Sequence, residues 1–403
     1  MSRPDLTRPN LIDALNARPA PRELPAPSTE EAARSAALAQ EISSHLARAG
    51  GAIDFDVFMA LALYAPGLGY YSGPQQKFGA AGDFVTAPEL SPLFGECLAQ
   101  QCAEVLALVG GGDVLEVGAG SGALAAQMLS ALDRRNAAPR RYFILELSAD
   151  LRARQRETIA ARAPQAVHRV EWLDAWPPSL TGVVVANELL DAMPVQRFWF
   201  DGAAAHLLTV RHDGERFLWD SRAVPPALAG RITALNLPAN YVSEIGLQAE
   251  AWVASLSDAL TRGAALLIDY GFPRAEFYHP QRSGGTLMCH YRHRAHDNPL
   301  ILPGLQDITA HVDFTAVAEA AHGAGLHVHG YTSQAAFLLG TGIMSLAEAS
   351  DTSDTRAHLA LTQAVKKLTL PSEMGELFKV MALTRNIDAP LRGFALSDRR
   401  MSL

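Results

Sequence analysis

Cysteine is scarce. The 403 residues contain three, Cys97, Cys102 and Cys289, with no CxxC and no zinc-ligand spacing. That excludes a disulfide scaffold and a cysteine-based zinc site, and suits thiols kept reduced. Long apolar runs are missing, so no membrane-inserted helix is read. Positive charge is in short supply: 34 Lys and Arg against 42 Asp and Glu give a net charge of −8. A broad basic face for nucleic acid is thereby excluded. The segment Met1–Pro27 lacks the apolar stretch of a secretory signal, and Asp5, Asp13, Glu23 and several prolines spoil the amphipathic helix of a transit peptide. It reads as a disordered leader or a surface-wrapping arm.

What is present is 49% hydrophobic and 19% charged, enough for an α/β core with smaller additions. Ser28-Thr29-Glu30-Glu31 offers a capping box for an Ala-rich helix ending near Gly50-Gly51. A second helix begins at Asp54 or Asp56, and Pro66 and Gly67 break it. Residues 78–96 read as a loop leading into a helix over 93–108. Together, 28–110 form an N-terminal helical cap. From Asp113 onward, short apolar strands alternate with helices, which predicts a doubly wound Rossmann-like sheet over 111–386. The strands are read at 114–117, 142–145, 170–173, 183–186, 265–268, 326–331 and 377–383, with an Arg-rich helix at 149–162. Two segments interrupt the alternation. Residues 195–246 carry the hairpin signal Asp213-Gly214 and read as a β-rich insertion. Residues 271–312, rich in His, Pro and Gly, read as a long functional loop. The tail, 387–403, reads as weakly ordered.

The chemistry starts at Asp113-Val114-Leu115-Glu116-Val117-Gly118-Ala119-Gly120-Ser121-Gly122, where a strand ends in an acid and glycines open the next helix. Glycines there admit a ligand at the carboxyl ends of the strands. A dinucleotide enzyme gains nothing from a carboxylate beside the pyrophosphate site. S-adenosylmethionine, with an amino group and a sulfonium and no phosphate, does. Glu116 with Gly118, Gly120 and Gly122 therefore points to a class I S-adenosylmethionine-dependent methyltransferase rather than a dehydrogenase. Glu146 ends the second strand and can accept both ribose hydroxyls. Asp174, after the third strand, is placed to accept the adenine amino group. The plainer readings are a helix-starting surface glutamate and a solvated turn aspartate.

The fourth strand runs into Asn187-Glu188-Leu189-Leu190-Asp191-Ala192-Met193-Pro194. This tip lies beside the glycine loop, with Asn187 assigned to the cofactor and Glu188 and Asp191 facing the transferred methyl group. It is not the Asn-Pro-Pro-aromatic signature of nucleobase amino methylation. Paired carboxylates suit a cationic acceptor, since a guanidinium, with a pKa above about 12, must be oriented and relieved of a proton. The plainer reading is an N-cap pair at a helix start. In the second interruption, His290 and His311 with Asp307 and Asp313, and Asp269 at its entry, are the candidate acceptor-binding residues. With Asp83 and Glu89 of the 78–92 loop they would form an acidic channel and lid. His279, His293 and His296 invite a metal reading, but the spacing is not that of a helical zinc pair and methyl transfer needs no metal. No metal site is assigned.

The segments LGYYS, GDFVTAPELSPLFGE, VLEVGAGSGALA, ANELLDAMPVQRF, LLIDYGF and GTLMCHYRH with PGLQDITAHVDF resemble the MidA family, which includes an arginine methyltransferase of mitochondrial complex I assembly. The resemblance spans roughly 52–385. It implies a class I core with a helical cap, S-adenosylmethionine as cofactor, and symmetric dimethylation of an arginine in a quinone oxidoreductase subunit. Carried over, Thr86, Pro88 and Glu89 belong to a loop closing over the cofactor, and Glu188 and Asp191 to the acidic motif. A degenerate member acting as an assembly chaperone, or an enzyme acting on a small molecule, remain alternatives. Without a convincing transit peptide, the expectation is a bacterial-type cytoplasmic protein rather than one of the mitochondrial matrix.

Overall fold

The computed structural model describes residues 11–17, 24–73, 86–350 and 353–403. Among the described residues the central sheet has eight strands, the short Val312–Asp313 beside the end of β5 and seven in one continuous order: β1 (Asp113–Val117), β2 (Tyr142–Leu145), β3 (Val170–Leu173), β4 (Leu180–Asn187), β5 (Leu260–Phe272), β6 (His327–Ser333) and β7 (Phe378–Arg385). Their order is β6-β7-β5-β4-β1-β2-β3, with β7 antiparallel to both its neighbours and the β5-β4-β1-β2-β3 pairs parallel. This is the class I methyltransferase arrangement. The chain order reverses at β1 and β4, and there the tips of the strands leave a crevice for a ligand.

Alternation along the strands explains the two covered faces. In β5, Ala264, Leu266 and Ile268 join one buried cluster and Ala265 and Leu267 the opposite one. The helices Pro92–Val109 and Ala123–Arg134 cover the first face, Leu247–Ala259 and Phe314–Gly323 the second. The helix Pro92–Val109 is bounded by its chemistry. The Ser91 hydroxyl accepts from the Leu93 N–H at 3.2 Å. Proline occupies the first turn, and Gly110 ends the helix at φ +79°.

A second, smaller body stands over the strand tips. Gln196–Phe200, Ala205–His212, Phe217–Ala223 and Tyr241–Ile245 form an antiparallel sheet, and Ala52–Asp54 from the cap adds to its edge. The capping box at Ser28 is present, and the helix Thr29–Arg48 packs into the same cluster as Phe55, Phe58, Trp219 and Cys289. Cap and insertion therefore share one core.

Two expectations, for residues 271–312 and for the tail, are corrected, and the plainer N-cap reading of Glu188 and Asp191 finds no helix. Residues 271–312 are not a structureless loop: Met288–Tyr291 pairs with Arg294–His296 and Asp307–Thr309. The hairpin turn there is Arg292-His293, at φ +48° and +61°, a primed turn without the Asn-Gly that announces one. No helix follows β4, where residues 188–194 turn irregularly into the insertion. The tail is packed, with Leu391 and Phe394 buried, the Gly393 N–H on Gln101 Oε1 at 2.8 Å and Arg399 forked on Glu376 at 2.8 and 3.0 Å. Of the leader, residues 11–17 behave as an arm: Asn16 exchanges two hydrogen bonds, at 2.8 and 2.9 Å, with the backbone of Trp219.

Candidate active site

The strand tips open into a cavity of about 1670 Å³, lined from the glycine loop at one end to His290 and Thr309 at the other. At the first end, Gly118, Gly120 and Gly122 stand at φ +69°, +53° and +81°. A Cβ on Gly118 would lie 3.0 Å from Leu189, and one on Gly122 would lie 3.0 Å from the Gln155 backbone. Gln155 braces the loop, donating to the Gly120 carbonyl at 3.1 Å and to Glu146 Oε2 at 3.1 Å. Glu146 also accepts from the Ser148 N–H at 2.9 Å, which fixes the carboxylate at the tip of β2. Glu116, 3% exposed, accepts from the Tyr142 hydroxyl at 2.5 Å, and burial pushes it up to about 7. An open backbone cradle flanked by two fixed acids fits a ligand with an amino group, a sulfonium and a ribose. Gly118, Gly120, Glu116 and Glu146 would hold it there.

The segment 86–90 ties this end to the other. Glu89 Oε1 accepts from Ser121 at 2.5 Å, and the Pro88 carbonyl accepts from Gln127 at 2.8 Å. The Ala87 N–H faces the Glu188 carboxyl and opposes the rise in its proton affinity. Thr86 and Pro88 line the cavity, while Glu89 braces the glycine loop from outside its wall.

Past β4 the acids gather. Glu188 sits at φ +52° on the cavity wall, with Asn187 Nδ2 at 3.2 Å. Burial first, then Asp191, pushes its carboxyl up to about 8. Asp191 is 4% exposed, with the Tyr270 hydroxyl beside it opposing the rise in its proton affinity. Burial pushes it up to about 6, and its Oδ1 has no hydrogen-bond partner. Asn187 Oδ1 is likewise unpartnered. Asp307, buried, accepts from the Tyr71 hydroxyl at 2.9 Å, and Tyr71 stacks on Tyr64 with ring centroids 5.5 Å apart. His311 packs edge-on to Tyr270 and Phe272, and burial depresses it to about 4, so it is neutral at physiological pH. A cavity wall with partly unsatisfied carboxylates between aromatic rings accommodates a flat cation with several N–H groups.

The structure uses some candidates differently. Asp174 lies on the cavity rim, its side chain 88% exposed and paired with Arg152 at 2.6 Å. Asp313 caps the helix Phe314–Gly323, accepting from Thr315 and Ala316 at 3.0 and 3.1 Å, and pairs with Arg274 at 3.4 Å. Asp269 lies behind the wall on backbone N–H groups, and Gly122 is likewise off the lining. Asp83 falls outside the described residues. Tyr64, Tyr71, Tyr270 and Gln155 were not singled out from sequence. Tyr71 and Tyr270 stand in the quoted LGYYS and LLIDYGF segments, but nothing in the spacing marks them as cavity residues. Among the described residues no group of three or more His, Cys, Asp or Glu side chains could hold a metal ion.

With this geometry, similarity to known proteins is specific. A COG1565 superfamily member from Burkholderia thailandensis, solved with S-adenosyl-homocysteine bound, is 48% identical. It superposes with a TM-score of 0.92 over 94% of this chain and 100% of that one. A native crystal structure of a COG1565 protein from the same organism gives 0.90 at 48% identity over the same shares. The mitochondrial protein arginine methyltransferase NDUFAF7 of Danio rerio is 27% identical over 88% of this chain and 89% of its own. Its human counterpart is 28% identical over 83% and 80%. These relatives are mitochondrial by name, which overturns the expectation of a cytoplasmic protein. The Methyltransf_28 profile matches residues 97–332, and the chain belongs to that family of S-adenosyl-L-methionine-dependent methyltransferases.

Proposed function

We propose that this methyltransferase acts on a guanidinium nitrogen of an arginine in a protein, with a respiratory quinone oxidoreductase subunit as the acceptor. One observation carries the reading. Asp191, 4% exposed on the cavity wall beside Glu188, keeps a carboxylate oxygen without a donor. A buried carboxylate oxygen left unpaired is costly unless a ligand satisfies it. A guanidinium brings several coplanar N–H donors and a charge. The names of the relatives, protein arginine methyltransferases, support the same acceptor.

S-adenosylmethionine supplies an electrophilic methyl group on a sulfonium. The chain supplies position and a proton acceptor. Asp191, beside Tyr270, orients the guanidinium by accepting its N–H groups, and the Tyr64 and Tyr71 rings flank the approach. As the N–C bond forms and the S–C bond breaks, the sulfur keeps the electron pair of the broken bond and becomes a neutral thioether. The methylated nitrogen sheds its proton to Glu188, whose raised proton affinity suits a base working near neutrality. In-line orientation supplies most of the acceleration.

The test is transfer of a labelled methyl group to peptides that differ only in arginine or lysine, and to a lysate lacking this protein. Hydrolysis should return label as methylarginine, absent from the lysine peptide. Label confined to lysine or to a small molecule would refute the arginine reading.

A further inference from the structure

The loop after β4 is held by a carboxylate that never reaches the cavity. Asp269, one residue beyond the β5 position paired with Asn187, is 1% exposed. Its Oδ2 accepts from three consecutive backbone N–H groups, Leu189 at 3.2 Å, Leu190 at 2.9 Å and Asp191 at 3.2 Å. Its Oδ1 accepts from the Tyr270 N–H at 2.9 Å. The Glu188 N–H is fixed as well, to the Ile268 carbonyl at 2.9 Å. Consecutive N–H groups converging on one oxygen form an anion nest. Here the anion is part of the chain.

The geometry points to Asp269 as a positioning residue for methyl transfer: by gathering the N–H groups of residues 189–191 it fixes Glu188 and Asp191 toward the acceptor. Glu188 at φ +52° is in the left-handed region that a glutamate rarely adopts, so something must hold it there. Two conformational outcomes compete. Without the nest, the segment would relax toward ordinary φ, and the Glu188 carboxylate would leave the Ala87 N–H and the wall. With the nest, the next residues turn sharply enough to bring Asp191 back to the same wall. Tyr270, adjacent to Asp269 in sequence, then meets Asp191 through its hydroxyl. One strand end therefore sets both the backbone and the side chain of the acidic pair. Burial and the nearby Asp191 and Glu188 charges raise the proton affinity of Asp269, while the backbone N–H groups oppose that rise.

The inference rests on the assignment of Glu188 and Asp191 to the acceptor, so its test has a branch that does not use the acceptor. In the wild-type protein the amides of residues 189–191 should exchange as slowly as those of the adjoining strands. Exchange as fast as an unprotected loop would overturn the clamp, whatever the acceptor proves to be. Asp269→Asn, assayed well below its melting temperature, should lose about 100-fold in kcat, as misplacement of reacting groups does. Its Kd for S-adenosylmethionine should stay within about three-fold of wild type. Asp269→Glu keeps the charge but displaces the carboxylate by a methylene, and should lose kcat as well. Wild-type kcat with only a lowered Tm, or full activity in the Glu variant, would assign Asp269 to stability or to charge alone and overturn the inference. If wild type labels no arginine, the acceptor reading fails, and the exchange experiment still decides the clamp.

Discussion

The two ends of the cavity are built on different principles. At the cofactor end, Glu116, Gly118, Gly120 and Glu146 come from two successive strands and the turn between strand and helix, and what matters most is backbone conformation. At the acceptor end, residues as distant as Tyr64, Asp191, Tyr270 and His311 are assembled by long-range packing, and what matters is buried charge. The first end is sterically exacting, its acids fixed on a short stretch of chain. The second tolerates ordinary residues in extraordinary positions. Evolution of a new acceptor can therefore proceed at one end while the other stays fixed.

The sharpest way to break this comparison is Gly120→Val. A β-branched residue at φ +53° is strained and would fill the cradle, so binding of S-adenosylmethionine by calorimetry should vanish. Binding within a few-fold of wild type would mean that the backbone is not the determinant at this end.

Next in size is Glu188→Gln. Loss of the proposed base should lower kcat by about 10²–10⁴-fold while cofactor affinity holds. The same variant should be more stable at high pH. Glu188 is raised from 4.5 to about 8, so the folded protein without ligand binds more protons than the unfolded chain between those values. Stability from this group is present in full below pH 4.5 and lost as pH rises through about 8. At pH 9 the variant should melt about 2–4 °C above wild type, the gap closing toward pH 5. A variant that melts below wild type at pH 9 would remove the buried charge from the account. In wild type, kcat/KM should rise across the same interval as Asp191 and Glu188 ionise.

The smallest effect is expected for Asp174→Ala. An exposed carboxylate paired with Arg152 contributes little, so cofactor Kd should move by less than about two-fold. A tenfold loss would return Asp174 to an adenine contact and blur the distinction between the two ends.

The contrast also explains what could be read from sequence. Strand periodicity, the capping box at Ser28 and the glycine run are local signals, and the core followed them closely: the helix Ala149–Arg162 has the bounds the pattern implied. The sheet within 271–312 was hidden because its hairpin turns on Arg292-His293, where side chains take conformations normally left to Asn and Gly. The tail reads as weakly ordered from sequence, but Gly393 and Arg399 find partners remote in sequence, Gln101 and Glu376, and Leu391 and Phe394 are buried. Asp313 and Asp269 were acids in the right region facing the wrong way. Which side of a loop a carboxylate takes depends on the N–H groups that claim it, and no spacing rule records that.

The edge strand Ala52–Asp54 has a consequence for synthesis. Its partner strand lies far along the chain, with Ala52 in register with Arg211. At ribosomal rates of roughly 5–20 residues per second, that partner emerges roughly 10–30 s after the strand does. During that interval Phe55 and Phe58, fully buried in the finished protein, lack the Trp219 and Phe217 rings they pack against. The nascent chain thus presents an aromatic segment early and part of its cover late, so the cap reaches its final packing only after the insertion strands have been made.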